Sequence, residues 1–155
     1  HRDLHYPLRR QRQMCIRDRG NTINYLSEIS KTNSITAVEI SPVAMAELLV
    51  LAKKKDNIIP CLCDAHFPEK YRIQANNPEI IYQDIAQNDQ VDIFIRNCEY
   101  FKPKQAFLML KTQSIAKGNF DIFKNTEKRL SEIFEKVESV NINKWAKGHS
   151  AYFME

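Results

Sequence analysis

The sequence lacks the long apolar segments and repeats that mark several classes of protein. No apolar run approaches the roughly 18–20 residues needed to cross a membrane, so no membrane partner is expected. There is no internal repeat, low-complexity stretch or linker, and residues 1–19 lack the apolar core of a signal peptide. With 155 residues and a hydrophobic fraction of 43%, the chain is predicted to form one globular domain with a substantial core.

Cysteine is scarce and irregularly spaced. The four cysteines, Cys15, Cys61, Cys63 and Cys98, lack the framework spacing of a disulfide-stapled secreted domain, which favours reduced thiols in a cytoplasmic protein. Cys61 and Cys63 form a C-x-C pair, but no companion Cys or His cluster has metal-ligand spacing. Alternation along a strand would place both thiols on one face. We therefore predict buried structural thiols and no metal site.

Excess charge is absent from most of the chain. The net charge is +4, and residues 1–19 account for all of it with six arginines against two aspartates. Subtracting these from the 23 basic and 19 acidic residues leaves 17 of each in residues 20–155. Residues 9–19 (RRQRQMCIRDR) resemble translated sequencing-adapter read-through, and the alternative is a genuine basic RNA-binding arm. We expect residues 1–19 to be non-native and residues 20–155 to be a truncated native domain.

Four apolar runs that each end at a charged residue are the most informative feature present. They cover residues 34–38, 58–63, 79–83 and 105–110, and they are followed by Glu39, Asp64, Asp84 and Lys111. Helix-like segments separate the runs, which is typical of parallel strands in an open α/β sheet. Ligands bind beyond the carboxyl ends of such strands, so these four charged residues are predicted to form a site.

Periodicity predicts the remaining elements. Helices are predicted at residues 21–31, 42–55, 68–74, 90–101 and 121–137, and strands of a C-terminal hairpin at 139–145 and 150–154. Ser41 and Pro42 provide an N-cap and a first helical residue for the second helix. Pro60 argues against a central position for the strand that contains it.

Seven short strings, in the right order, resemble one known family. They are residues 20–22 (GNT), 37–41 (AVEIS), 57–60 (NIIP), 64–72 (DAHFPEKYR), 82–90 (YQDIAQNDQ), 111–115 (KTQSI) and 147–149 (KGH). These strings resemble the fibrillarins, the RNA 2'-O-methyltransferases of C/D box particles, and the details look archaeal. The resemblance implies a Rossmann-like class I methyltransferase sheet, mostly parallel with a C-terminal antiparallel hairpin.

The sequence departs from the family pattern at its N-terminal end. The family's first strand, most of its glycine-rich cofactor loop and a first catalytic lysine have no match before Gly20. The loop ends in GNT where the family has GTT, and Gly148 stands where an acidic residue usually precedes the last histidine. Residues 14–16 form the one apolar stretch that could fill the central strand position. We expect the chain as written to be poorly stable and inactive.

The resemblance implies a site for S-adenosyl-L-methionine. Its predicted contacts are Gly20, Asn21, Thr22, Glu39, Ile40, Asp64, Ala65, Asp84 and Gln87. Glu39 would accept hydrogen bonds from the two ribose hydroxyls of the cofactor, because both are donors. Asp64 and Ala65 would hold the adenine. The structural alternatives are a surface acid for Glu39 and a turn cap for Asp64, and His66 is assigned no role.

Three members of the family's Lys-Asp-Lys-His catalytic set are present, namely Asp84, Lys111 and His149. A ribose 2'-hydroxyl is a poor nucleophile, so positioning and a nearby base or cation are needed. Lys111 could be the base if neutral, or stabilise oxyanion charge if protonated. Asp84 would orient Lys111 and favour its charged form, and His149 could orient the ribose. The sequence does not identify the group that takes the proton.

The resemblance also implies the substrate and the partners. The expected activity is 2'-O-methylation of rRNA or tRNA at positions chosen by a C/D box guide RNA. A Nop-domain scaffold protein and a kink-turn-binding ribosomal-type protein would complete the particle, in the cytoplasm of an archaeon or the nucleolus of a eukaryote. The balanced charge of residues 20–155 fits recognition delegated to partners. The alternatives are a class I methyltransferase with another substrate and a non-catalytic assembly module.

Overall fold

A computed structural model describes residues 12–17, 21–29, 34–111, 122–144 and 147–155. The strands are β1 (Arg12–Arg17), β2 (Ser34–Glu39), β3 (Ile58–Leu62), β4 (Ile80–Asp84), β5 (Gln105–Lys111), β6 (Val137–Asn141) and β7 (His149–Met154). The helices are α1 (Asn21–Ile29), α2 (Pro42–Ala52), α3 (Arg72–Ala75), α4 (Gln90–Phe101) and α5 (Ile122–Ser131), with a 3-10 turn at Pro68–Lys70.

The strands form one sheet in the order β3-β2-β1-β4-β5-β7-β6. Strands β1 to β5 are parallel, whereas β7 runs antiparallel to both β5 and β6. The predicted mostly parallel sheet with a C-terminal antiparallel pair is therefore confirmed. The chain builds β2 and β3 on one side of β1 and then crosses to β4 on the other side. This reversal opens a crevice at the carboxyl ends of β1 and β4, where ligands bind in sheets of this kind.

The two faces of the sheet bury separate apolar cores because side chains alternate along each strand. On one face, Cys15 of β1 packs with Ile23 of α1 and with Met45 and Leu48 of α2. On the other face, Met14 and Ile16 join a larger cluster that includes α4 and Leu130 of α5. Within the described segments, no helix is both long and apolar enough to cross a membrane.

Local signals position the elements near the site. The Ser41 side chain accepts a hydrogen bond from the backbone N–H of Ala44, at 3.4 Å, and Pro42 is the first residue of α2. This is the predicted N-cap, and it starts α2 immediately after the carboxyl end of β2. Pro60 lies in β3, which is an edge strand where a missing N–H is tolerated, as predicted.

The C-terminal prediction was partly wrong. The helix predicted to reach residue 137 ends at Ser131, and β6 covers Val137–Asn141 rather than residues 139–145. The N–H groups of Ile133 and Phe134 both donate to the Leu130 carbonyl, which closes the helix in a tight turn. Val137 then pairs with Met154 of β7, so the ladder overrides the helical period. The segment 112–121 between β5 and α5 lies outside the described residues.

Candidate functional site

The four predicted strand-end charges lie at one edge of the sheet. Glu39, Asp84 and Lys111 are the last residues of β2, β4 and β5, and Asp64 follows the end of β3 by two residues. All four strands are parallel, so their carboxyl ends point the same way. The arrangement predicted from the apolar runs is therefore present. This edge of the sheet contains two features, a pocket and a charged cluster.

The pocket lies beyond the carboxyl ends of β1 to β4. It encloses about 280 Å³, counting the part open to solvent, and its lining is Ile16, Val38, Ile40, Cys63, Asp64, Ala65, Ile85 and Gln87. Four of these residues, Ile40, Asp64, Ala65 and Gln87, were predicted cofactor contacts. The other four are apolar or weakly polar and give the pocket the walls that a flat ring needs.

Buried polar contacts fix the segment that contains Ala65. The Ala65 carbonyl accepts hydrogen bonds from the side-chain amide of Asn97, at 2.9 Å, and from the Tyr71 hydroxyl, at 3.3 Å. Tyr71 also donates to the Asn97 side chain, and both residues are fully buried. Helix α4 therefore holds one wall of the pocket in place through Asn97.

Gln87 lines the pocket and contains an unsatisfied buried acceptor. Its side-chain Oε1 is buried and has no hydrogen-bond partner in the described part of the chain. A buried acceptor without a partner costs roughly 1–3 kcal/mol, so a ligand that donates a hydrogen bond here would be stabilised. Together with the apolar walls, this oxygen fits the amino-bearing edge of an adenine ring. The residues present therefore fit the predicted cofactor.

Glu39 and the start of α1 border this region. Glu39 is buried, and its Oε1 accepts a hydrogen bond from the Ser41 backbone N–H at 2.8 Å, which anchors the carboxylate where the chain turns into α2. Asn21 and Thr22 are the first two residues of α1, and Gly20 lies outside the described residues. Their contacts with a cofactor stay predictions.

The charged cluster unites the three predicted catalytic residues. The Lys111 Nζ lies 2.9 Å from Asp84 Oδ1, and the two side chains are only 19% and 13% exposed. Across the β5–β7 ladder, Lys111 is paired directly with His149. Partial burial strengthens the attraction between the two charges because less water screens it. Asp84 also immediately precedes Ile85, so the cluster adjoins the pocket.

The hydrogen bonding of His149 indicates its tautomer. Its Nδ1 lies 2.9 Å from the Lys147 carbonyl oxygen. A carbonyl can only accept, so Nδ1 must carry the hydrogen. In the neutral ring Nε2 is then left with a lone pair and can accept a proton.

The cysteines partly follow the prediction. Cys61 of β3 and Cys63 just after it have their Sγ atoms 3.5 Å apart, and all four cysteines are reduced thiols. Burial, reinforced by the hydrogen bond with Cys63, raises the pKa of Cys61 to about 12. Cys63, by contrast, is half-buried and lines the pocket. Among the described residues, no group of three or more His, Cys, Asp or Glu side chains could hold a metal ion.

Comparison with known proteins matches most of the chain to one family. The family model described as Fibrillarin matches residues 17–155. The chain belongs to the fibrillarin family. It is 41% identical over 123 residues to the fibrillarin-like rRNA/tRNA 2'-O-methyltransferase of Thermoplasma acidophilum, across 79% of this chain and 51% of that protein. The family predicted from the seven strings is therefore confirmed.

Solved fibrillarins share the fold. A fibrillarin in complex with Nop5p superposes with a TM-score of 0.86 and 30% identity, over 94% of this chain and 72% of that one. Aeropyrum pernix fibrillarin with natively bound S-adenosyl-L-methionine gives a TM-score of 0.78 at 24% identity, over 94% and 66%. The Rossmann-like methyltransferase sheet is confirmed. The chain spans about half the length of the first curated relatives, at 51%, 43% and 59%.

The sequence analysis assigned no role in the site to two residues, His66 and Gln90, that the structure places there. His66, to which no role was assigned, lies with Nδ1 2.6 Å from Asp64 Oδ1 and Nε2 2.7 Å from Asp89 Oδ2. It therefore joins the loop after β3 to the loop after β4. Gln90 was recognised only as the end of a string and the start of a helix. Its polar side chain on the buried face of α4 could have indicated a hydrogen-bonded role, because buried polar groups need partners.

The charge state of His66 follows from its partners. Both ring nitrogens face carboxylates, which can only accept, so both must donate and the ring is an imidazolium. The hydrogen bond to Asp89, followed by that to Asp64, raises the pKa of His66 above its ordinary value. Burial tends to raise the pKa of Asp64, but hydrogen bonds from the backbone N–H and ring of His66 hold it below its ordinary value. Asp64 thus caps its own turn, as the structural alternative anticipated.

Proposed function

We propose that this chain carries the catalytic domain of an S-adenosyl-L-methionine-dependent RNA 2'-O-methyltransferase guided by C/D box RNA. The observation that carries the proposal is the Lys111–Asp84 ion pair, which lies opposite His149 and beside the pocket. Family membership supports it, since the Thermoplasma acidophilum relative is named as an rRNA/tRNA 2'-O-methyltransferase.

The pocket residues would hold the cofactor. Gln87 Oε1 would accept a hydrogen bond from the adenine edge, while Ile40 and Ile85 would contact its faces. Glu39 would accept from the ribose hydroxyls, as expected from its strand-end position. S-Adenosyl-L-methionine, when bound, supplies an electrophilic methyl group. The cofactor present in Aeropyrum pernix fibrillarin supports this assignment.

Lys111 would stabilise the attacking oxygen rather than take its proton. In the pair with Asp84 the lysine is an ammonium group, which has donors and no lone pair. A fixed ammonium beside the ribose stabilises negative charge as it develops on the 2'-oxygen, and partial burial increases that effect. Asp84 fixes the direction in which the ammonium points. This arrangement favours one of the two roles that the sequence left open.

His149 is the group best suited to accept the hydroxyl proton. Its bond to the Lys147 carbonyl leaves Nε2 as the acceptor nitrogen. Its position opposite Lys111 would let the base and the cation approach the same hydroxyl. Histidine is also the side chain that most often serves as a general base in enzymes.

The partners belong to the same proposal. Guide and target RNA would be presented by a Nop-domain scaffold and a kink-turn-binding protein, and the cytoplasm of an archaeon is the expected location. The solved complex of a fibrillarin with Nop5p supports the scaffold. The balanced charge of residues 20–155 also supports recognition through partners, because an independent RNA-binding protein would carry a basic face.

The test uses a full-length protein in which residues 20–155 follow a native N-terminal segment in place of residues 1–19, and this protein is the parent of every variant below. Its methyl transfer from tritiated S-adenosyl-L-methionine is measured in a particle reconstituted with guide RNA, Nop-domain scaffold and kink-turn-binding protein. Label should enter only the target nucleotide that the guide specifies, and as a ribose 2'-O-methyl group. The matched control is a guide with an altered target-pairing segment, which should move the label to another position.

Two outcomes would contradict the proposal. Methylation of a base, a protein or a small molecule in place of ribose would favour a methyltransferase with another substrate. Normal particle assembly and cofactor binding without any methyl transfer would favour the non-catalytic assembly module.

A further inference from the structure

The side chain of Gln90 is bonded to the backbone of Lys111 at two points. Gln90 Oε1 accepts a hydrogen bond from the Lys111 backbone N–H at 2.9 Å, and Gln90 Nε2 donates to the Lys111 carbonyl at 3.0 Å. Gln90 is fully buried at the first position of α4, and Lys111 is the last residue of β5. A side-chain amide thus pairs with both polar groups of one peptide-backbone residue.

This contact continues a sheet ladder beyond the point where its strands separate. The β4–β5 pairing ends with Gln83 opposite Leu108, three residues before Lys111. The chain leaves β4 at Asp84 and turns into α4, so the end of β5 needs another partner on that side. Buried backbone groups are almost always hydrogen-bonded, and the Gln90 amide supplies the partner for Lys111.

Two further hydrogen bonds fix Gln90, one at its side-chain amide and one at its backbone carbonyl. Its Nε2 also donates to the Gln87 carbonyl at 2.9 Å, so the pocket loop and the end of β5 share one anchor. The side chain of Gln83 donates to the Gln90 backbone carbonyl at 2.6 Å and is fully buried. Both N–H donors and the oxygen of the Gln90 amide are therefore hydrogen-bonded, which favours a single orientation of the amide.

We propose that Gln90 is a positioning residue that aligns Lys111 with the pocket. The inference rests on the proposed function, since Lys111 matters there because its ammonium group must meet the attacking oxygen. A misplacement of about 1 Å can cost a factor on the order of 10² in rate, so the direction in which β5 ends is a catalytic variable. Gln90 acts through Lys111 and does not itself reach the substrate.

The test replaces Gln90 with methionine, which has a similar volume but neither donates nor accepts these bonds. The matched control is Gln105→Met at the other end of β5, where the amide donates to the exposed Glu155 side chain. At saturating cofactor and RNA, Gln90→Met should lower kcat by about a hundredfold, with a smaller change in cofactor affinity. Gln105→Met should stay within about twofold of the parent protein.

Amide exchange provides a readout that is independent of methyl transfer. In protein labelled with ¹⁵N-lysine, hydrogen exchange at Lys111 should accelerate at least tenfold in Gln90→Met and stay unchanged in Gln105→Met. If Gln90→Met does not fold, Gln90→Glu keeps the acceptor for the Lys111 N–H and loses both donated bonds. That variant should then protect the Lys111 amide while kcat still falls.

Each result decides one question. Unchanged exchange at Lys111 in Gln90→Met, or a kcat above half that of the parent in either Gln90 variant, would overturn the role of Gln90. Absence of methyl transfer in the parent protein would instead overturn the proposed function, and the exchange experiment would still report on the Gln90–Lys111 contact.

Discussion

Two charged bridges cross the same edge of the sheet, and they differ in burial and in the elements they join. Lys111 and Asp84 connect the ends of neighbouring strands, with side chains 19% and 13% exposed. His66 connects two loops, through Asp64 and Asp89, and these three side chains are 30%, 33% and 46% exposed.

The difference in burial and position suits the two bridges to different roles. A bridge on strand ends has a fixed direction and little screening by solvent, which suits it to stabilise developing charge. A bridge on loops is screened, and it contains an imidazole whose charge can change near neutral pH. The first therefore suits the proposed chemistry, and the second joins the two loops that contain the pocket residues Asp64 and Gln87.

Removal of Lys111 should have the largest effect on activity. We expect Lys111→Ala to lower methyl transfer by about 10²–10⁴-fold, because a charge used in the transition state is lost. Cofactor affinity, measured by titration calorimetry, should change little. The control is Lys104→Ala, which removes an exposed lysine just before the same strand. A rate above about a tenth of the parent value would contradict the assignment.

Removal of Glu39 should affect the pocket and spare the chemistry. We expect Glu39→Ala to weaken S-adenosyl-L-methionine binding by about ten- to a hundredfold, since charge-assisted hydrogen bonds contribute roughly 1.5–3 kcal/mol. The turn into α2 would also lose the bond from Ser41, so folding must be checked by thermal denaturation. Glu47→Ala, at an exposed position in α2, is the matched control. Unchanged affinity would remove Glu39 from the site.

The His66 bridge should make stability depend on pH. The pKa of His66 is raised in the folded state, so its contribution is fully present below the unfolded value of about 6.5. That contribution is lost as the pH rises through the folded pKa. We therefore expect the melting temperatures of the parent protein and His66→Gln to differ most at mildly acidic pH and to converge at alkaline pH.

The partner residues refine this experiment. Asp89→Asn should reduce the pH dependence without abolishing it, because Asp64 remains beside the ring. Asp64 has a lowered pKa, so its own contribution is present above an unfolded value of about 3.9 and is lost in acid. A constant gap between parent and His66→Gln across pH 5.5–8.5 would refute a charged bridge.

The exposed ion pair between Arg129 and Asp92 should have the smallest effect of the three bridges on stability and activity. The Arg129 Nη2 lies 2.5 Å from Asp92 Oδ1, but the two side chains are 36% and 58% exposed. We expect Arg129→Ala to change the free energy of unfolding by less than about 1 kcal/mol and to leave methyl transfer unaltered. A larger loss in chemical denaturation would show that distance, rather than burial, ranks the three bridges.

The sequence was most informative where one strand or one turn decided the outcome. Apolar runs ending at Glu39, Asp84 and Lys111 were enough to predict that these three residues lie at one edge of the sheet, because parallel strands end on one side. Pro60 and Ser41 were also interpreted correctly, since an edge strand and an N-cap follow from single residues.

Contacts between distant segments were harder to predict. Asp89 is 23 residues from His66, and Lys111 is 21 residues from Gln90, so neither partnership leaves a periodic pattern. The pairing of Lys111 with His149 depends on the β5–β7 register, which is a tertiary property. Phe134 and Val137 continued a helical period in the sequence, and only the ladder with β7 removed them from α5.

The central position of β1 has a consequence for how the protein opens. Cys15 pairs with Ala37 on one side and, on the other, with Tyr82, which is much more distant in the sequence. Strand β1 therefore joins β2 and β3 to the strands that come later in the chain. Long-range pairings of this kind close slowly because loop entropy opposes them. The pocket lies at the carboxyl end of β1 and has lining residues from both sides of it, with Val38 on one side and Gln87 on the other. We therefore expect a bound ligand to stabilise the β1–β4 pairing against local opening. Ligand binding should slow hydrogen exchange along the β1–β4 ladder more than along β6–β7.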